Sequence, residues 1–192
     1  MSDIILASSS PFRRQILDKL QLTYRCISPE IDESPLNQES PTELVARLAA
    51  AKAAKIAESE TSALIIGSDQ VAVINGDILG KPGNHQRATA QLKRLSGQRV
   101  TFLTGLSLLN SQSGNIQTEV VPFHVEFRQL TERMIENYLK TEQPYNCAGS
   151  FKSEALGIAL FDKLEGDDPN TLIGLPLIRL VRMLETEGVN VL

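Results

Sequence analysis

Apolar residues recur along this 192-residue chain in two rhythms, short runs or alternations that favour strands and three-to-four-residue spacings that favour helices. Ile4 to Ala7 is a short apolar run that ends in Ser8-Ser9-Ser10-Pro11. Ser10 is a good N-cap and Pro11 suits the first helical position, so the pattern predicts a strand that gives way to a helix. On that helix Arg13, Ile16, Leu17 and Leu20 share one face. Residues 22–28 read as a second strand. Ser40-Pro41-Thr42-Glu43 has the spacing of a capping box and predicts a helix to about Glu58, with Leu44, Leu48, Lys52 and Ile56 down one stripe.

The stretch Leu64 to Pro82 reads as a buried strand that continues to Ile74, turns at Asn75-Gly76 and returns through Asp77 to Gly80. Asn-Gly between apolar runs predicts a tight hairpin, because both residues tolerate positive φ. Asn84 to Leu95 is expected to be helical, with Ala88, Leu92 and Leu95 on one face and His85 exposed at its start. Residues 99–128 predict two long antiparallel strands separated by Ser111-Gln112-Ser113-Gly114. Thr131 caps a predicted helix through Lys140 that buries Met134, Ile135 and Tyr138. A strand is expected near Gly157 to Phe161, and a final helix opened by Gly174-Leu175-Pro176 should bury Leu177, Leu180, Val181 and Leu184.

Composition narrows the class. With 42% hydrophobic and 22% charged residues, 12 Gly and 9 Pro, the chain is globular and not disordered or fibrous. No repeat, low-complexity tract or flexible linker divides it, so residues 1–192 are expected to form one domain, or two lobes sharing a core. The net charge of −4 argues against general attraction to nucleic acid or anionic membranes. A polyanionic ligand would need local cations or a metal. The start MSDIILASSS lacks the features of a signal peptide, and no apolar run reaches membrane-spanning length, so a cytoplasmic protein is expected. Cys26 and Cys147 are far apart and form no C-x-x-C pair, and with only His85 and His124 a structural zinc site is not expected.

Candidate chemistry rests on charges in apolar settings. Asp69 lies between apolar strand segments, where a carboxylate must be paired, hydrogen-bonded or bound to a cation. It is therefore either a chemical group or a side chain satisfied by backbone N–H groups. The serines before Pro11 converge on a helix start, a setting that favours anions, and Arg13 offers a planar fork suited to phosphate unless it merely snorkels. Glu30, Asp32 and Glu33 form an acidic loop between Pro29 and Pro35, able to hold Mg²⁺ or simply to be solvated. Lys52 interrupts an apolar stripe, where it needs a phosphate or carboxylate partner, or sits at the edge with its head in water. Lys81, held extended by Pro82, could reach back toward Asp69 or be a charged strand end. Glu154 is a specificity carboxylate or a solvated loop residue. No GxxxxGKS/T motif of a P-loop kinase or GTPase occurs.

Taken together, ILASSSPFRR, the acidic PEIDES loop, Lys52, IIGSDQV, LGKP, GSFKSE and DPNTLIGLPL resemble the Maf family of nucleoside triphosphate pyrophosphatases, in the family's order and over nearly the whole chain. The resemblance implies a single Maf-like α/β domain over residues 1–192, related to inosine triphosphatase folds. It would have an elongated mixed β-sheet flanked by helices and two lobes with a central cleft. It also implies a divalent cation, Mg²⁺ or Mn²⁺, often a homodimer, and hydrolysis of a nucleoside triphosphate to the monophosphate and pyrophosphate. Carried onto matching positions, Ser8, Ser10, Arg13, Arg14, Lys52 and Lys81 bind phosphate. Glu33 and Asp69 hold the metal, and Asp69 is also the proton acceptor. Gln70 departs from the Asp-Thr-Val of many members and, with Phe12 and Glu154, resembles the subgroup acting on 7-methyl-GTP. An aromatic face attracts the positive charge of N7-methylated guanine, and a carboxylate can accept from N1–H and N2–H. UTP, dTTP or another nucleotide is the alternative substrate, and a nucleotide-binding regulator of septum formation the alternative from another class.

Overall fold

A computed structural model describes residues 3–192. Seven strands join in one mixed sheet flanked by helices: β1 (Asp3–Ala7), β2 (Arg25–Ile27), β3 (Ala63–Ile74), β4 (Asp77–Leu79), β5 (Arg99–Asn110), β6 (Ile116–Phe127) and β7 (Phe161–Glu165). Their order is β2-β1-β3-β5-β6-β7, with β4 beside β3. The helices are α1 (Pro11–Leu17), α2 (Pro41–Ala57), α3 (His85–Leu95), α4 (Glu132–Glu142), α5 (Pro169–Ile173) and α6 (Leu177–Thr186). Two compact units are distinguishable, one of Met1–Gln70, Leu103–Val121 and Asp168–Leu192, the other of Val71–Phe102 and Pro122–Asp167. No helix among the described residues is long and apolar enough to cross a membrane.

In the first unit β1 pairs in parallel with both β2 and β3. Hydrogen bonds from the Ser111 backbone N–H to Ala63 O, and from the Gln70 amide to Thr104 Oγ1, fix β5 antiparallel to β3. Side chains alternate across a strand, so its solid apolar runs supply two faces at once. Ile4, Leu6, Leu64, Ile66, Leu106 and Leu108 face α1 and α6, whereas Ile5, Ala7, Ala63 and Ile65 pack with Ala53 and Ile56 of α2. Ser40 and Glu43 form the expected capping box, and α2 ends within a residue of its predicted limit. The helix lies very close to the sheet. A Cβ at Gly67 would sit 2.0 Å from Ala49 O, and one at Gly105 2.1 Å from Val45 O, so only glycine admits the backbone of α2 there.

Several element predictions need correction. The second strand is three residues, not seven, because Leu22 and Tyr24 turn toward the core and Tyr24 bonds Asp18. In α6 the buried set is Leu177, Leu180, Met183 and Leu184, with Val181 only half-buried, since the stripe lies on the Met183 side. The short α5 had no counterpart in the pattern.

The second unit contains the hairpin of β3 and β4, whose Asn75-Gly76 turn has φ of 51° and 86° at its two residues, as Asn-Gly predicts. A Phe102–Phe151–Phe127–Phe161 cluster with ring centroids 5.0–5.4 Å apart fills part of its core. In α4 the buried face is Ile135, Tyr138 and Leu139, so Met134, one residue round the helix, is only half-buried. Gly157 to Leu160 is not a strand but part of a 3-10 turn, Leu156–Leu160, where the chain folds back so tightly that a Cβ at Gly157 would meet Lys152 O at 2.2 Å. The strand is β7, which follows it. His85 is half-buried, held between the Tyr145 hydroxyl at 3.0 Å and Glu136 at 2.9 Å.

Candidate functional site

Register places the candidate site at the carboxyl ends of the parallel strands, where open α/β sheets characteristically bind ligands. Leu6 lies opposite both Cys26 and Ile66, so continuing the ladder brings Ser8, Ser28 and Ser68 to one level. The serine-rich turn into α1, the acidic loop after β2 and the Ser68-Asp69-Gln70 segment of β3 therefore emerge side by side. Along β3 the alternation sends Gly67 and Asp69 toward α2, and Ser68 and Gln70 toward the opposite face.

On the α2 side Lys52 is buried and its Nζ lies 2.6 Å from Asp69 Oδ1 and 2.8 Å from Glu33 Oε1. A lysine inside an apolar stripe needs such partners, because an ammonium taken out of water unpaired costs several kcal/mol. Asp69 is only 8% exposed, and its Oδ2 accepts no hydrogen bond from the described residues. The ammonium has three donors, so one remains after the two carboxylates are satisfied.

Arg47, five residues before Lys52, organises the acidic loop. Its Nε donates to Glu39 Oε1 at 2.5 Å, and its Nη2 to Glu39 Oε2 at 2.8 Å and to Ser34 O at 3.1 Å. This paired fork drives the Glu39 carboxyl down to about 2. Hydrogen bonds within the loop, from Ser34 to Asp32, hold the Asp32 carboxyl below its ordinary value.

On the other face the Gly174 carbonyl is a shared acceptor. Arg13 Nε and Ser68 Oγ each donate to it at 2.9 Å. Gly174 closes α5 with φ of 117°, a left-handed conformation suited to glycine. Arg13 is half-buried and its two terminal nitrogens make no hydrogen bond with the described residues. Burial pulls its guanidinium below the ordinary range, only partly offset by the charges of Asp69 and Glu33. The fork is anchored at Nε and open at its end.

The Gln70 amide nitrogen donates to Thr171 O at 2.8 Å, Thr104 Oγ1 at 2.9 Å and Leu172 O at 3.2 Å, and Thr104 Oγ1 donates to Thr171 O at 3.1 Å. Asp168 caps α5 through Asn170 N at 2.8 Å and also accepts from Ile178 N at 2.9 Å. The Thr171 hydroxyl is buried without a partner, which costs about 1–3 kcal/mol and is borne by a segment pinned at several points.

Of the other expected site residues, Ser8 Oγ accepts from Ser10 N at 3.1 Å and Ser10 Oγ from Arg13 N at 3.4 Å, which leaves each hydroxyl hydrogen free to donate. Phe12 is 36% exposed, so part of its side chain is open to solvent. Arg14, expected beside Arg13, is instead exposed in a separate hollow lined by Asp18, Tyr24, Arg25 and Cys26, because consecutive helical residues diverge by about 100°. Lys81 and Glu154 are exposed in loops of the second unit. Pattern reading missed Arg47, Ser68, Thr104 and Gly174. A trace of Arg47 was legible in its spacing from Glu39 and Glu43, but a backbone carbonyl such as that of Gly174 leaves no signal.

Glu33 and Asp69 converge on one cation, and two carboxylates beside a phosphate suit Mg²⁺, which takes one or two protein carboxylates and fills its octahedron with water and phosphate oxygens. The described residues contain no group of three or more His, Cys, Asp or Glu side chains arranged for a metal. The donor set therefore fits a cation that arrives with a phosphate ligand.

Residues 3–187 match the family model described as Maf-like protein. A 7-methyl-GTP pyrophosphatase from Nitrosococcus oceani is 57% identical over 189 residues, which cover 98% of this chain and 95% of that protein. Among solved structures, the Staphylococcus aureus Ham1 protein aligns with 66% of this chain and 72% of its own at 15% identity, with a TM-score of 0.48, too low to establish a shared fold.

Proposed function

The chain belongs to the Maf family, and from that premise we propose that it hydrolyses 7-methyl-GTP to 7-methyl-GMP and pyrophosphate. The near full-length relative of that name supports the substrate. The observation that carries the reaction is Asp69, with one oxygen held by Lys52, the other unpartnered among the described residues, and its charge felt by the guanidinium of Arg13.

Asp69 Oδ2 accepts a hydrogen bond from a water and takes its proton as the water oxygen forms a bond to the α-phosphorus. The bond from that phosphorus to the α–β bridging oxygen breaks, and pyrophosphate leaves with the electron pair. Lys52 fixes the carboxylate by donating to Oδ1 and has a further donor for a phosphate oxygen. Arg13, with the Ser8 and Ser10 hydroxyls, binds the negative chain and stabilises charge that accumulates on the leaving group. Glu33 and Asp69 would hold a Mg²⁺ or Mn²⁺ that arrives with the triphosphate, which would further neutralise that charge. Gln70 and Phe12 act in substrate choice, with Lys81 and Glu154 assigned to phosphate and base by the family pattern. The reading carries with it a cytosolic location, as the N-terminal sequence suggested, and a homodimer, as the resemblance implies.

Incubation with 7-methyl-GTP and Mg²⁺ should release equal amounts of pyrophosphate and 7-methyl-GMP. Orthophosphate with 7-methyl-GDP would overturn the bond assignment. A panel of kcat/KM values including GTP, UTP and dTTP tests the base, and a preference for any of those three would overturn the substrate.

A further inference from the structure

We propose that Thr104 is a positioning residue which, with Gln70 and Ser68, locks the Asp168–Gly174 segment so that the Gly174 carbonyl fixes Arg13 and aims its terminal nitrogens at the substrate phosphates. The proposal rests on the phosphate-binding reading of Arg13. Thr104 touches no reacting atom itself.

Thr104 is fully buried on β5, and its hydroxyl has a partner for each role it can play. It accepts from Gln70 Nε2 and donates to Thr171 O. The two hydrogens of the Gln70 amide are in turn committed to that hydroxyl and to the carbonyls of Thr171 and Leu172. Gln70 thus grips the backbone of α5 through its nitrogen, an arrangement distinct from direct recognition of a base by that group. Two residues on, Gly174 O takes both the Ser68 hydroxyl and Arg13 Nε. The segment is therefore tied to β3 and β5 at one end and to α1 at the other.

The consequence for Arg13 is geometric. A guanidinium anchored only through a flexible side chain samples many directions, whereas one whose Nε bonds a fixed carbonyl presents both terminal nitrogens in one plane. A side chain other than glycine at 174 would strain this anchor through the left-handed φ of 117°, although its Cβ would make only ordinary contact with Arg13 Nε at 3.4 Å. The orphaned Thr171 hydroxyl fits the same picture, because the segment is held where its carbonyls are needed and not where its own side chain is satisfied.

The test compares T104V, which keeps the shape and removes the hydroxyl, with T104S, which restores it. Each is measured alone and in an R13A background. Inorganic tripolyphosphate with Mg²⁺ serves as a base-independent probe of binding by calorimetry, alongside KM and kcat for the nucleotide. T104V should weaken tripolyphosphate binding and raise KM by about tenfold, the scale of one lost hydrogen bond, with kcat changed far less. T104S should recover most of the loss, and T104V should add nothing once Arg13 is Ala. Unchanged binding in T104V, or losses that add to those of R13A, would overturn the positioning role even if the nucleotide were hydrolysed as proposed. A wild-type protein that binds no tripolyphosphate would overturn it together with the phosphate reading. Should T104V fail to fold, S68A, which removes a second bond to Gly174 O, must give the same non-additive pattern with R13A for the proposal to stand.

Discussion

Lys52 on α2 and Asp69 on β3 hold each other with Nζ 2.6 Å from Oδ1, and only 7% and 12% of their side chains are exposed. Removal of either partner leaves a buried charge that the mostly exposed Glu33 cannot fully compensate. K52M should therefore lower unfolding free energy by up to about 3–5 kcal/mol, whereas K52M combined with D69L should lose much less. Urea denaturation of the two singles and the double provides the check, and additive losses would contradict the coupling.

Asp69→Asn keeps size and shape but gives up the proton acceptor. Turnover of 7-methyl-GTP should fall by roughly 10²–10⁴-fold, the range for loss of a general base, with nucleotide binding weakened far less. Single-turnover kinetics and equilibrium binding separate these effects. Full turnover in D69N would remove Asp69 from the chemistry.

Gly67→Ala should destabilise the protein through α2. The added methyl would fall 2.0 Å from Ala49 O, a backbone atom that cannot rotate away, so helix and sheet must part. The expected cost is at least about 1–3 kcal/mol, with a fall in activity because Lys52 moves with the helix. Thermal unfolding and kcat/KM should drop together. A drop in melting temperature with unaltered kcat/KM would show that Lys52 tolerates displacement.

The Glu39–Arg47 fork predicts how the acidic loop responds to pH. Glu39 titrates near 2 in the folded chain against 4.5 for an ordinary glutamate, so the unfolded chain binds the proton more readily. A depressed carboxyl contributes stability that is complete above pH 4.5 and is lost as pH falls toward 2. Glu39→Gln should therefore destabilise the protein near neutral pH and flatten the acid limb of its stability curve between those values. Denaturation midpoints across pH 2–7 test this, and parallel curves for variant and wild type would rule it out.

The mixed α/β sheet that the resemblance implied is present, and the element predictions held where local chemistry governs. The Ser40–Glu43 box, the Asn75-Gly76 turn and the break at Ser111–Gly114 each specify backbone geometry within a few residues, and the elements follow them closely. Errors came where burial depends on distant packing. Met134 and Val181 are apolar and helical, but the core lies on the side of Leu139 and Met183. Gly157 had strand-like neighbours, yet the chain there turns against Lys152 O.

Charges in apolar company were legible for the same reason: Asp69 and Lys52 stood out because an ion among Leu, Ile and Ala requires a partner. Their being each other's partner was not legible, for it depends on how closely α2 approaches β3 at Gly67 and β5 at Gly105. Sequence by itself determined the strand and helix periods and the residues able to carry charge, since both follow from local stereochemistry and side-chain chemistry. The tertiary structure alone decided which charges meet, that Arg13 and Arg14 part company, and that a glycine carbonyl anchors the former. Those outcomes depend on strand register and on backbone atoms, which are the same at every position and so leave no mark in the order of residues.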